Sequence, residues 1–250
     1  MKIHIIFTPT QLDDLYFANK TTVVIDVLRA TSVIMTALNN GAREVIPVNT
    51  VEFAMKVSGN AFGGNTLLGG ERNTKMIEGF NIGNSPLEYT PEAVGGKSLI
   101  LFTTNGSRAI VKAKFSENLI VGSFLNLHAV VKYLIDLNTD VEIVCAGANG
   151  MFCIEDTVCA GKIVSELVKK MPDVELTDSS RASVSLNKSF GKNIQQMLSE
   201  TEHGKLLVKN GFASDIDYCA QVDIIKKIAK FSSGSIKLFD FENPNTVENN

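Results

Sequence analysis

Short apolar runs alternate along this chain with segments whose apolar residues recur at helical spacing. The clearest run is residues 23–25, where three β-branched residues in a row indicate a strand buried on both faces. Further strands are predicted at residues 2–7, 44–48, 66–69, 97–102, 119–121 and 141–145. Strands that alternate with helices in this way form a largely parallel sheet covered on both faces, so the pattern predicts an α/β fold.

The last hundred residues have a different pattern. Residues 172–223 predict a mainly helical region packed on the sheet, within a single α/β domain that spans residues 1–250. Residues 224–241 alternate around the turn sequence Ser-Ser-Gly-Ser, which predicts a hairpin. Residues 242–250 are polar and are predicted to fray.

Composition excludes several classes of function. A formal net charge of -3 and the absence of a basic run argue against general nucleic-acid binding, which requires a concentrated positive face. No apolar run approaches the roughly 20 residues that a membrane helix needs, so we predict no membrane partner and a cytoplasmic location. The four cysteines lack C-x-x-C spacing, which indicates reduced thiols rather than a disulfide scaffold.

Polar residues directly follow the strand at residues 23–25. Asp26 stands at its carboxyl end, and Arg29, Thr31 and Ser32 come at the start of the following helix. In open α/β sheets ligands bind at this edge, so the stretch offers a carboxylate for a metal, a guanidinium for an oxyanion, and capping hydroxyls. The alternative is purely structural: a carboxylate that closes a turn, ordinary helix caps, and a surface charge.

Three other predicted strand ends carry similar groups. They are Glu71 with Arg72, then Thr103, Thr104, Asn105 and Gly106, and finally Glu155 with Asp156. Ends that share one edge of a parallel sheet would converge on one volume. Hard oxygen ligands without His or Cys suit Mg²⁺, and arginine forks beside Mg²⁺ suit a phosphate or a sulfonate. Taken singly, Glu155 and Asp156 could favour their helix dipole, and Glu71 with Arg72 could be a surface pair.

Other catalytic motifs fail on spacing. The Gly-Lys-Ser at residues 96–98 lacks the first glycine of a phosphate loop, because Pro91 occupies that position. The three histidines are scattered, so no H-E-x-x-H zinc helix exists. The aspartyl-phosphate pattern D-x-D-x-T fails because Leu28 and Ala30 stand where Asp and Thr are required.

The chain resembles the 2-phosphosulfolactate phosphatase family over nearly its whole length. The motifs that carry the resemblance are VVIDVLRATS from Val23, GGER from Gly69, GNSPLEY from Gly83, TTNGSRA from Thr103, CAGANGMFCIEDTVCAG from Cys145 and HGKLLVKNGFASDIDYCAQVD from His203. The resemblance implies Mg²⁺-dependent hydrolysis of 2-phosphosulfolactate to 3-sulfolactate and phosphate, a step toward coenzyme M. It also implies a homodimer and a three-layer α/β/α fold with a mixed sheet.

The residue pattern and the resemblance together give a set of predicted roles. Asp26, Glu71 and Asp156 are expected to hold the metal, and Asp26, Glu155 and Asp156 to act in catalysis with water as the attacking group. The small anionic substrate, with its phosphate and sulfonate, is expected to contact Arg29, Thr31, Ser32, Arg72, Thr103, Thr104, Asn105 and Gly106. Two alternatives stay open: a phosphatase of another small phosphorylated acid, and a non-catalytic anion-binding module.

Overall fold

A computed structural model describes residues 1–60 and 65–239. Within these ranges the chain is an α/β protein with one large mixed sheet. The strands are β1 (Lys2–Ile6), β2 (Thr21–Ile25), β3 (Glu44–Val48), β4 (Thr66–Arg72), β5 (Lys75–Met76), β6 (Ser98–Phe102), β7 (Asn118–Gly122), β8 (Val141–Cys145), β9 (Glu175–Leu176), β10 (Ile228–Ser232) and β11 (Ser235–Phe239). The helices are α1 (Ala30–Asn39), α2 (Val51–Asn60), α3 (Pro91–Val94), α4 (Gly106–Lys112), α5 (Leu127–Leu137), α6 (Ile154–Lys170), α7 (Asp178–Phe190), α8 (Ile194–Glu200), α9 (Glu202–Lys209) and α10 (Ala213–Cys219).

The sheet consists of two parallel groups joined by a hairpin. Its strand order is β5-β4-β6-β3-β11-β10-β7-β2-β8-β1-β9. In the first group β7, β2, β8, β1 and β9 are parallel, and in the second β3, β6 and β4 are parallel. The hairpin of β10 and β11 pairs antiparallel with β7 on one side and with β3 on the other. The two parallel groups therefore run in opposite directions, and the predicted single parallel edge is wrong.

The hairpin confirms the prediction made for this part of the chain. Its two turn residues, Ser233 and Gly234, both have positive φ angles, of 51° and 89°. Two such residues form the type I′ turn whose twist matches that of the flanking strands, and glycine adopts this conformation without steric cost. The last two residues of the predicted hairpin, at 240–241, and the predicted polar tail lie outside the described residues.

Helices cover both faces of the sheet because its central strands are apolar on both faces. In β2, Val23 packs against residues of α5 and α6, while its neighbour Val24 packs on the opposite face. That second core cluster also contains Ile34 of α1, Ala109 of α4 and Leu99 of β6. Helices α1 and α4 therefore pack on one face of the sheet and contact strands of both parallel groups, while α2 covers the other face of the second group.

The twist of the sheet explains how strand ends from opposite-running groups can meet. Strand β6 is five steps from β2 in the sheet order. A twist of about 20–25° per step accumulates to about 100–125°, which turns the carboxyl end of β6 toward that of β2. The contact is close, since a Cβ at Gly106, after β6, would collide with the Asp26 carboxylate, after β2.

The region predicted to be helical contains α7 to α10 and one short strand. Helix α7 packs on α6 and β1, whereas α8, α9 and α10 pack together and α10 contacts the turn at Pro86–Glu88. The strand β9, which pairs with the sheet edge at β1, was not predicted because two residues are too few for a periodic pattern. Within the described ranges no helix is both long and apolar enough to cross a membrane.

Candidate active site

A small pocket of about 70 Å³ lies where the carboxyl ends of β2, β4 and β6 meet beside α9. The carboxylates of Asp26 and Glu71 line it, together with Asn84, Thr104 and His203. These residues come from five separate segments of the chain, so the pocket exists only in the folded protein. We refer to it below as the acidic pocket.

Asp26 is held by the turn that connects β2 to α1. The Thr31 hydroxyl donates to the Asp26 carbonyl at 2.8 Å and accepts the Asp26 N–H at 3.1 Å, while Asp26 Oδ1 accepts the Ala30 N–H at 3.2 Å. The residue is only 7% exposed. Burial raises the pKa of the Asp26 carboxyl to about 7, and the nearby charges of Glu71 and Glu155 act in the same direction.

Glu71 joins the ends of β4 and β6. Its Oε2 accepts the Thr74 N–H and its Oε1 accepts the Thr104 N–H, both at 2.8 Å. These bonds fix the carboxylate in the acidic pocket and leave further lone pairs on both oxygens for a ligand.

Arg72 follows Glu71 but does not reach the acidic pocket. The sequence predicted that the strand ends before these residues, whereas β4 continues through Arg72. Successive side chains of a strand point to opposite faces, so Glu71 is buried and Arg72 is exposed, with its guanidinium 6.0 Å from the Phe102 ring. The geometry therefore does not support the predicted anion contact of Arg72.

Arg29 lines the acidic pocket, but its charge is already paired. Its Nη1 donates to Asp215 Oδ2 at 2.5 Å, its Nη2 donates to the Thr74 carbonyl at 3.0 Å, and it stacks over the Phe212 ring. Only 2% of the residue is exposed, and Asp215 also accepts the Ser85 hydroxyl. This buried ion pair fastens α10 to the site and leaves Arg29 little capacity to bind a substrate anion.

The segment after β6 is ordered by its own side chains. Thr103 Oγ1 accepts the Ser107 N–H at 2.9 Å, and Ser107 Oγ donates to the Val48 carbonyl at 2.8 Å. Asn105 Oδ1 accepts the Asn149 N–H at 3.0 Å, which joins this segment to the loop after β8. Thr103, Thr104 and Asn105 all line the acidic pocket, whereas Gly106 does not, and their contact with a substrate stays a prediction.

Two buried oxygen atoms of residues that line the acidic pocket are candidates to bind a ligand. Asn84 Oδ1 and Thr104 Oγ1 are buried and have no hydrogen-bond partner among the described residues. An unpaired buried polar atom costs about 1–3 kcal/mol, so its occurrence beside two carboxylates points to a bound group. Together with Asp26 and Glu71, these atoms form a set of hard oxygen donors of the kind that Mg²⁺ prefers.

Asp156 does not join this donor set. Its Oδ1 accepts the Val27 N–H at 2.8 Å, and its Oδ2 accepts the Gly147 N–H at 3.3 Å and the Cys153 thiol. It therefore ties the ends of β2 and β8 together behind Asp26, and burial holds the pKa of its carboxyl well above the ordinary range. In the described part of the chain no three His, Cys, Asp or Glu side chains form a metal-binding cluster, so the predicted trio of metal carboxylates is not assembled.

Glu155, Thr31 and Ser32 also lie outside the lining of the acidic pocket. Glu155 is buried at the start of α6, where burial and the charge of Glu202 raise its pKa. Ser32 Oγ donates to the Val27 carbonyl at 2.9 Å, so its hydroxyl, like that of Thr31, is used to shape the turn after β2. The hydroxyls of Thr31 and Ser32 are thus not free for the predicted substrate contacts, while the catalytic role of Glu155 stays a prediction.

Sequence reasoning missed His203, which lines the acidic pocket from α9. Burial together with the Arg29 charge lowers the pKa of the imidazole. The Glu71 charge opposes that shift. A single histidine on a polar helix gives no local signal, and only the packing of α9 reveals its position.

A second, larger cleft of about 600 Å³ adjoins the acidic pocket. The two share Thr104, Asn105 and Asn149 in their walls. Three cationic side chains line the larger cleft. They belong to Arg108 and Lys112 of α4 and to Lys114. We refer to it below as the basic cleft.

Comparisons with known proteins agree with this arrangement. The sequence model of the 2-phosphosulpholactate phosphatase family matches residues 6–234. A protein of Clostridium acetobutylicum named probable 2-phosphosulfolactate phosphatase is 42% identical over 236 residues, which cover 94% of this chain and 100% of that protein. A protein of the same name from Caldanaerobacter subterraneus subsp. tengcongensis is 44% identical over 230 residues, which cover 92% and 95% of the two chains.

Both the family match and these relatives extend over nearly the whole chain, including every segment that lines the acidic pocket. The family is named for a phosphatase, which is a phosphoric monoester hydrolase. The chain belongs to the 2-phosphosulpholactate phosphatase family.

Proposed function

We propose that this protein is a Mg²⁺-dependent phosphatase that hydrolyses 2-phosphosulfolactate to 3-sulfolactate and phosphate. The observation that carries the proposal is the acidic pocket, where two buried carboxylates lie with two buried oxygens that lack a partner among the described residues. Family membership and the names of the relatives support the substrate class.

The donor set of the acidic pocket fits Mg²⁺. This ion takes oxygen ligands, commonly one or two carboxylates completed by waters and substrate phosphate. Asp26 and Glu71 would hold it, and Asn84 and Thr104 would add neutral oxygens. When bound, Mg²⁺ supplies positive charge to the phosphoryl oxygens and increases the acidity of water at the site.

Residues of the chain itself would hold the Glu71 carboxylate in position and accept the proton of the attacking water. Arg29 holds the Thr74 carbonyl, and the Thr74 N–H in turn holds Glu71, so the buried ion pair with Asp215 keeps this carboxylate in position. The His203 ring lines the acidic pocket together with Glu71. A neutral imidazole has one nitrogen that can accept a proton, and we assign to it the proton of the attacking water.

Three further properties belong to the proposal. The family resemblance implies a route toward coenzyme M and a homodimer, and the sequence itself favours a location in the cytoplasm. Light scattering of the purified protein at several concentrations tests the dimer, since a constant mass of about 27.1 kDa would contradict it.

Release of phosphate from synthetic 2-phosphosulfolactate tests the proposed reaction. We expect release that is abolished by EDTA and restored by added Mg²⁺. Comparison of kcat/KM across a panel of phosphorylated acids decides between this substrate and another small acid. Tight binding of the substrate with no phosphate release at any Mg²⁺ concentration would instead favour an anion-binding module.

A further inference from the structure

The basic cleft continues directly from the acidic pocket. Thr104, Asn105 and Asn149 face both spaces, so a ligand whose phosphate lies in the acidic pocket can extend past them without crossing the protein interior. The acidic pocket has about 70 Å³ and the basic cleft about 600 Å³, so most of the open space beside the carboxylates lies in the cleft. The cleft therefore offers room for the remainder of the substrate.

The charge of the cleft suits an anion. Three cations, Arg108, Lys112 and Lys114, line it against the single carboxylate of Asp14. Both lysines already lie near that carboxylate, at 3.8 Å and 3.7 Å. Arg108 is exposed and has neither an ion pair nor a side-chain hydrogen bond within residues 1–60 and 65–239. Its guanidinium is thus the cation available to a ligand.

The two arginines predicted from the sequence cannot take this role. Arg29 is buried and paired with Asp215, and Arg72 projects from the other face of β4. Arg108 lies two residues after Gly106, which packs against Asp26, so its backbone is anchored beside the acidic pocket while its side chain faces the cleft.

We propose that Arg108 is the specificity-determining residue of this enzyme and binds the sulfonate of the substrate in the basic cleft. This assignment rests on the proposed function, because it takes the phosphate of the same molecule to lie in the acidic pocket. A guanidinium presents two parallel N–H donors that match two oxygens of a tetrahedral oxyanion, and its charge strengthens both bonds.

The test compares two substrates that differ at one group. 2-Phosphosulfolactate carries the sulfonate on its third carbon, and 2-phospholactate carries a hydrogen there. We expect Arg108→Met to lower kcat/KM for the sulfonated substrate by on the order of 10–10²-fold, as for the loss of charged hydrogen bonds. The loss for 2-phospholactate should be at least ten times smaller. Equal losses for both substrates, or no loss for either, would overturn the assignment.

Two other variants control the measurement. Arg181→Met removes an exposed arginine of α7, which lines neither space, and should leave both activities at the wild-type level. Arg108→Lys keeps the charge but loses the two parallel N–H donors of the guanidinium. We therefore expect its preference for the sulfonated substrate, measured as the ratio of the two kcat/KM values, to be intermediate between those of wild type and Arg108→Met. A substrate preference equal to that of wild type in Arg108→Lys would refute recognition through the paired guanidinium donors.

A binding measurement separates this assignment from the proposed reaction. Calorimetry with 3-sulfolactate and with lactate needs no turnover. Weaker binding of 3-sulfolactate to Arg108→Met, with lactate affinity unchanged, supports the subsite even if wild type releases no phosphate. Equal affinity of wild type and Arg108→Met for 3-sulfolactate would refute the subsite even if the phosphatase activity is found.

Discussion

The acidic pocket and the basic cleft share a wall but use charge in opposite ways. In the pocket, Asp26 and Glu71 are buried and fixed by backbone N–H groups, and the one arginine, Arg29, is neutralised by Asp215. In the cleft, Arg108 is exposed and has no ion-pair partner among the described residues. If the proposed roles are correct, the end of the site that carries the reaction is preorganised and closed, whereas the end that recognises the substrate is open.

The largest expected effect comes from removing a charge from the acidic pocket. Asp26→Asn preserves shape but loses the anion that would hold Mg²⁺, so we expect kcat to fall by roughly 10²-fold or more, with partial recovery at high Mg²⁺. Phosphate release over a Mg²⁺ titration measures this. Asp173→Asn, at an exposed position outside both spaces, serves as the control. Wild-type kcat with unchanged Mg²⁺ dependence in Asp26→Asn would show that this carboxylate only closes a turn.

The second prediction separates the two arginines by stability. Asp215→Ala leaves the Arg29 charge buried without its carboxylate, so the free energy of unfolding should fall by about 3–5 kcal/mol. Arg108→Met removes an exposed charge and should change that free energy by less than about 0.5 kcal/mol. Urea denaturation followed by circular dichroism measures both. Similar values for the two variants would remove the contrast between a structural and a ligand-binding arginine.

The smallest effect is expected from a change of Asp14, the single carboxylate that lines the basic cleft. Asp14 lies near both Lys112 and Lys114, so Asp14→Asn makes the cleft more positive. Because these charges are partly exposed and screened, we expect KM for the sulfonated substrate to fall by less than about threefold, with kcat unchanged. The decrease should diminish as salt is added. A higher KM in Asp14→Asn would mean that the cleft does not attract the substrate by its charge.

The sequence predictions were correct where they depended on neighbouring residues and failed where they depended on contacts between distant residues. The strand before Asp26 and the hairpin turn were predicted because their signals are local. The exposed position of Arg72 was missed because β4 continues through this residue. In a strand, neighbouring side chains point to opposite faces, so Arg72 lies on the face opposite to that of Glu71. The partnership of Arg29 with Asp215 spans 186 positions, and no local pattern could reveal it.

The convergence of the site was predicted for a reason that proved wrong. We expected Glu71 and Thr104 to meet Asp26 because all would follow strands of one parallel sheet. They do meet, but across two groups that run in opposite directions and are brought together by twist and by packing around α1 and α4. Periodicity identifies strands and their ends, whereas strand order and direction depend on contacts between distant segments.

The position of the hairpin within the sheet has a consequence for synthesis of the chain. Strands β10 and β11 come after every other strand in sequence, yet they pair with β7 and β3 in the middle of the sheet. During translation both of those apolar strands must therefore emerge with an open edge, which is a surface prone to pairing with other chains. The many contacts between distant residues also favour slow folding. A nascent chain shortened before Ile228 would already contain Asp26, Glu71 and Arg108, but the two halves that carry them would lack the strands that join them.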